Sequence, residues 1–231
     1  MKIAIYGDSF GTETPIFETE HPNLSKVGTP WVSLLRQHYN VDNYCVSGSD
    51  YYFSFNNFLK NYKRYDINIF IETACNRLSI KQNNVFVHNH NIQSATAKLK
   101  DSTDNSLNNI YKASVQYFTH LHDIEKDEVL TSLMRKEIER LDSNCFFIKS
   151  FGEHGLFNIT LNENKIWKVN PTYTKDDKFL DLRYCHMTKE NNHTLYKIVY
   201  DKILTKEKFS YTLDDFVGTR LQDKNLYLVK K

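Results

Sequence analysis

The apolar positions fall into short continuous runs separated by stripes of helical period, and that alternation lays out the chain. Lys2-Ile3-Ala4-Ile5-Tyr6 is a run of strand length at the very start. Residues 11–28 are polar and irregular, punctuated by Gly11, Pro15, Pro22 and Gly28, as a long loop is. Thr29-Pro30 reads as a helix start, with Thr as N-cap and Pro at the first helical position. Trp31, Leu34, Leu35 and His38 follow at i, i+3, i+4 and i+7, the stripe of an amphipathic helix on a sheet. Residues 40–46 form a second strand candidate that ends at Ser47-Gly48-Ser49, and Tyr51, Phe55, Phe58, Leu59 and Tyr62 mark a second helix. Residues 67–73 carry Ile67 and the run Ile69-Phe70-Ile71 and read as a third strand, central, parallel and buried on both faces.

Beyond that point the rhythm breaks. Residues 81–123 are rich in Asn, His, Ser and Lys, and only Tyr111, Val115, Phe118 and Leu121 show a helical stripe. They read as an insertion, part loop and part helix, serving either as a lid or as a solvated excursion. Leu130, Leu133, Met134, Ile138 and Leu141 predict a helix, and Cys145-Phe146-Phe147-Ile148 a strand. Residues 159–161 and 166–169 flank Asn162-Glu163-Asn164 as a small hairpin. Leu195, Ile198, Val199 and Ile203 define a last long helix, and a C-terminal extension over about 206–231 ends in a short strand near 226–229. Strands alternating with helices predict an open, mostly parallel α/β sheet in a single domain spanning residues 1–231.

Composition narrows the class. A chain of 231 residues with 40% hydrophobic and 25% charged residues suits one sizeable globular domain. A net charge of +2 argues against nucleic acid or an anionic membrane surface as partner. No basic n-region precedes an apolar stretch of signal length, and no window reaches spanning length, so a cytoplasmic protein is expected. Cys45, Cys75, Cys145 and Cys185 lack CxxC spacing and read as reduced thiols, not zinc ligands. His88-x-His90 and His120-x-His122 lack a third ligand at a firm spacing and read as solvated loop histidines. No cofactor is expected.

The chemistry is carried by short segments at the carboxyl ends of the strands, where open α/β sheets hold their ligands. Ser9, in Gly7-Asp8-Ser9-Phe10, is a candidate nucleophile directly after the first strand. An acyl-transfer site also needs a base and donors aimed at the oxyanion. The N–H of Ser9, the N–H of Gly48 and the side-chain amide of Asn76 are candidate donors, although Gly48 also fits a plain turn and Asn76 a helix cap. His186 lies ahead of the last helix, where the helix dipole favours the neutral imidazole of a general base, and Asp181 is the carboxylate that would orient it.

Taken in order, these segments resemble the SGNH (GDSL-type) hydrolase superfamily. Ile5-Tyr6-Gly7-Asp8-Ser9-Phe10 resembles its first block, Asn43-Tyr44-Cys45-Val46-Ser47-Gly48-Ser49 its second, Ala74-Cys75-Asn76-Arg77 its third and the stretch ending at His186 its fifth. The resemblance implies a flavodoxin-like three-layer α/β/α sandwich and hydrolysis of acyl esters or amides through an acyl-enzyme, with Ser9, Gly48 and Asn76 as oxyanion-hole residues. A small-molecule or carbohydrate ester is the implied substrate. The spacing is also similar to that of SGNH-like proteins encoded by tailed phages. Cys45 replaces a usual glycine, Arg77 a usual aspartate, and Arg183 stands where the family has its acid, three residues before His186. Three readings of that last departure are open: Asp181 reaches His186 from a longer turn, a Ser–His dyad acts alone, or activity is weakened or lost. The same residues also fit an acyltransferase, or a binding module that keeps the fold without the chemistry.

Overall fold

The computed structural model describes residues 1–13, 29–75, 77–82, 85–89, 96, 103, 105–150, 179–181, 189–205 and 228–230. The architecture is mixed α/β, with a parallel four-stranded sheet flanked by helices, as the alternation of strands and helices predicts. Strands β1 (Lys2–Tyr6), β2 (Asn40–Asn43), β3 (Ile67–Glu72) and β6 (Phe146–Lys149) lie in the order β2-β1-β3-β6. Strands β1 and β3 pair in parallel, Ile3 opposite Ile67 through Tyr6 opposite Phe70. The chain leaves β1 for β2 on one side and returns to β3 on the other, so the connections diverge between β1 and β3. Such a switch point opens a crevice at the carboxyl ends of the two strands.

Two compact units divide the chain. One comprises Met1–Gly11 and Asp42–Phe147, the other Thr12–Val41 and Ile148–Lys231. In the first unit, Ile3, Ala4, Ile5 and Tyr6 of β1 are all fully buried, as are Ile69, Phe70 and Ile71 of β3. Continuous apolar runs of this kind are what a strand covered on both faces requires. Helix α2 (Tyr51–Asn61) buries Tyr51, Ser54 and Phe58 and leaves Leu59 exposed. Its N-cap is Asp50, whose side chain accepts the Phe53 N–H. Helix α4 (Ile124–Leu141) turns Met134, Ile138 and Leu141 toward Tyr6, Phe58 and Phe70, whereas Leu130 and Leu133, expected on that stripe, are exposed. Glu72 accepts both a 2.7 Å and a 2.8 Å bond from Arg135 Nη1, fastening α4 to the end of β3. The Arg135 guanidinium also lies 4.4 Å over the Phe147 ring.

The insertion contains more strand than its composition predicts. Strands β4 (Leu78–Gln82) and β5 (Val85–Asn89) pair antiparallel with Gln82 opposite Val85. Helix α3 (Asn105–His120) follows, burying Ile110 and Ser114, while Leu121 just beyond it is exposed. His122, grouped above with loop histidines, pairs with Asp127 at 3.1 Å.

In the second unit, α1 (Trp31–Arg36) packs on α5 (Lys189–Thr205), with Trp31, Val32, Leu35, Leu195, Val199 and Ile203 buried. The N-cap of α1 is Pro30 and not Thr29; the orphan Trp31 N–H instead donates to Asn192 Oδ1 of α5 at 3.1 Å. Strands β7 (Phe179–Asp181) and β8 (Leu228–Lys230) pair antiparallel, so the end of the C-terminal extension is strand, as expected. The hairpin expected over 159–169 lies outside the described residues. Among those described, no helix is long and apolar enough to cross a membrane.

Burial raises the Tyr6 and Tyr51 hydroxyl pKa values far above the ordinary tyrosine value, and the neighbouring Glu72 adds to the effect at Tyr51. Both stay protonated in the folded chain while the unfolded chain ionises near pH 10. The unfolded state therefore holds fewer protons above that pH, and stability falls as pH rises. Below about pH 9 the two tyrosines should leave the urea midpoint flat. Above pH 10 each should lower unfolding free energy by up to about 1.4 kcal/mol per pH unit, and Tyr51→Phe should reduce the slope.

Candidate active site

Gly7 ends β1 at the switch point with φ of 153°, a conformation that side chains disfavour. A Cβ at this position would collide with the Cβ and backbone of Ile71 on β3. Glycine thus allows the two strand ends to close on each other. The chain then turns at once: the Gly11 N–H donates to the Asp8 carbonyl at 3.1 Å, and Ser9–Gly11 form a single 3-10 turn. Asp8 Oδ1 accepts the Phe10 N–H at 3.1 Å, which fixes the backbone on both sides of Ser9. Asp8 and Phe10 are buried, whereas Ser9 between them is half-buried. Asn43 supports the turn from β2, its Nδ2 donating to the Gly11 carbonyl at 2.7 Å.

The segment carrying Gly48 is tied to the same place. Strand β2 stops at Asn43, whose Oδ1 accepts the Cys45 N–H, yet the chain keeps bonding alongside β1. The Tyr44 N–H donates to the Ile5 carbonyl at 2.7 Å and the Val46 N–H to the Gly7 carbonyl at 3.0 Å. Ser49 Oγ donates to that same Gly7 carbonyl at 3.0 Å. Gly48 itself is buried with φ of 75°, so the turn between Val46 and Ser49 is one that glycine enters without strain. Asp50 then bridges outward, its Oδ2 accepting the Ser79 N–H of β4 at 2.8 Å.

The third segment closes onto Asp8. Its Oδ2 accepts Thr73 Oγ1 at 3.0 Å and Arg77 Nη1 at 3.1 Å. The side chains of Arg77 and Asp8 are 5% and 0% exposed, so this is an ion pair in the interior. Burial lowers the Arg77 pKa from its ordinary value while the Asp8 charge opposes that drop. Arg77 Nη1 also donates to the Ser49 carbonyl at 3.1 Å.

Of the residues expected from sequence, Ser9 and Gly48 are brought to the carboxyl end of β1 by these bonds. Asn76 and His186 lie outside the described residues. The Asp181 backbone ends β7 opposite Leu228, and its side chain lies outside the described set. Asp8, Thr73, Arg77, Ser49 and Asn43 were not predicted as part of the site. Their only sequence signal is position, since each lies in or beside a block that resembles a hydrolase motif. Among the described residues no group of three His, Cys, Asp or Glu side chains is placed to hold a metal ion.

The sequence matches no protein-family model and none of the curated proteins. Among solved structures the chain is similar to an acetyl xylan esterase, at 15% identity over 89% of this chain and 98% of that one, with a TM-score of 0.29. A likeness at that score carries no argument about chemistry.

Closure of the strand ends on Gly7 has a direct test. Gly7→Ala adds a strained φ and a collision with Ile71, which should destabilise the fold on the order of 2–4 kcal/mol, read as a lower urea midpoint. An unchanged midpoint contradicts the close approach.

Proposed function

We propose that the chain is a serine hydrolase of the SGNH (GDSL) type, cleaving a small acyl ester, with an O-acetylated carbohydrate as the substrate class. The supporting observation is the setting of Ser9: a half-buried serine on a tight turn at the β1/β3 switch point, beside the loop that carries Gly48. In this mechanism Ser9 Oγ attacks the ester carbonyl carbon and its proton passes to His186. Asp181 holds the imidazole in position and stabilises the imidazolium. The N–H groups of Ser9 and Gly48 and the Asn76 amide hold the oxyanion of the tetrahedral intermediate. Collapse of that intermediate breaks the bond to the alcohol, which leaves with the proton from His186. Water, deprotonated by His186, then attacks the acyl-enzyme and releases the acid and free Ser9.

Arg77 stands where the resemblance leads one to expect an acid, and that departure does not argue against the reading. Its charge is matched by Asp8 and its place is interior.

Turnover of p-nitrophenyl acetate tests the proposal. Ser9→Ala and His186→Ala should each lower kcat by on the order of 10⁴-fold or more with the fold retained. Asn76→Ala should lower it on the order of 10²-fold. Wild-type rates in both Ser9→Ala and His186→Ala overturn the mechanism.

A further inference from the structure

We infer that the buried Asp8–Arg77 pair is the positioning device that holds the Ser9 turn and the Gly48 loop, which carry two of the proposed oxyanion donors, at a fixed spacing, an inference that rests on the hydrolase reading of Ser9. Each proposed donor has an immediate neighbour in one bonded cluster. Asp8 precedes Ser9, Ser49 follows Gly48 and Arg77 follows Asn76. A single guanidinium nitrogen joins the three, donating to Asp8 Oδ2 and to the Ser49 carbonyl at 3.1 Å each. The other oxygen of Asp8 holds the Phe10 N–H, so the clamp continues into the turn on which Ser9 sits. Thr73 and Arg77 both bind Asp8, so one carboxylate holds both ends of the segment that carries Asn76 in sequence.

The chemistry of the pair suits this role. Asp8 is fully buried, with its oxygens occupied, and cannot serve as a base toward a substrate. Arg77 Nη1 donates inward, to Asp8 and to the Ser49 carbonyl. An arginine spans two acceptors in a fixed plane, which a flexible ammonium does less well. A buried pair is weak evidence for stability, whereas fixing one arrangement among several is its better attested use. Oxyanion donors act only when aimed at the transition-state oxygen, so an error in spacing lowers kcat more than it raises KM.

The test uses the full chain with Arg77→Lys, Arg77→Ala and the double variant Asp8→Asn/Arg77→Met. The double variant removes both charges and leaves no lone charge in the interior, so it keeps the test open if Arg77→Ala fails to fold. With p-nitrophenyl acetate, the double variant should lose on the order of 10–100-fold in kcat while KM changes by less than about threefold. Arg77→Lys, which keeps the charge, should recover part of that loss. Amide hydrogen exchange at Phe10, which needs no catalysis, should quicken about tenfold or more in the double variant as the turn loosens. A folded double variant with wild-type kcat overturns the inference, and so does unchanged Phe10 exchange. A wild-type chain without turnover sinks the hydrolase reading alone, and the exchange rate at Phe10 then decides whether the clamp exists.

Discussion

One buried carboxylate organises the carboxyl edge of this sheet. Asp8 sits where β1 ends, fully shielded from water, and accepts from Phe10, Thr73 and Arg77 at 3.0–3.1 Å. An ionised carboxylate in such a place is tolerable only with a counter-charge and with its lone pairs used. Arg77 supplies the first condition, and the hydroxyl of Thr73 with the N–H of Phe10 supplies the second. Because these partners come from the turn after β1 and the segment after β3, satisfying the charge fixes both segments together. The loop between β2 and α2 is drawn in through Ser49, which bonds to Gly7 with its hydroxyl and to Arg77 with its carbonyl.

That arrangement divides the work between two kinds of residue. Ile3–Tyr6 and Ile69–Ile71 give the strands a dry, close-packed setting that holds their ends in register. Gly7 then allows the ends to approach, because any side chain there would strike Ile71. The polar groups act beyond that point, where hydrogen bonds can set positions within tenths of an ångström. Ser9 is half-buried at the boundary of the two zones, between buried Asp8 and buried Phe10.

The sequence makes the apolar framework legible and the polar clamp almost invisible. Strands β1 and β3 are plain from continuous apolar runs, and α2 from its stripe. The β4–β5 pair is missed: Leu78 and Ile80 alternate with polar residues, but Phe86 between Val85 and Val87 breaks the alternation, and Asn83-Asn84 in the sequence is a weaker turn signal than Asn-Gly. On α4 the helical period is correct, but Met134, Ile138 and Leu141 carry the packing and Leu130 and Leu133 do not, because a period fixes a stripe and tertiary contact fixes its edge. The cap of α1 misleads because its true partner, Asn192, is 161 residues away. Arg77 misleads for the same reason: its partner Asp8 is 69 residues distant, so in sequence it reads only as a departure from a motif. The position of Ser9 and Gly48 at the carboxyl end of β1 is legible because short motifs follow apolar runs of strand length.

The proposed chemistry stands or falls on a reactive hydroxyl at Ser9, beside the β1/β3 switch point. Incubation with a fluorophosphonate followed by peptide mapping tests it directly, since only an activated serine displaces the fluoride and keeps the phosphonyl group. One adduct is expected, on Ser9, and it should disappear in Ser9→Ala. An unmodified chain, or an adduct on another residue with Ser9 untouched, contradicts that chemistry.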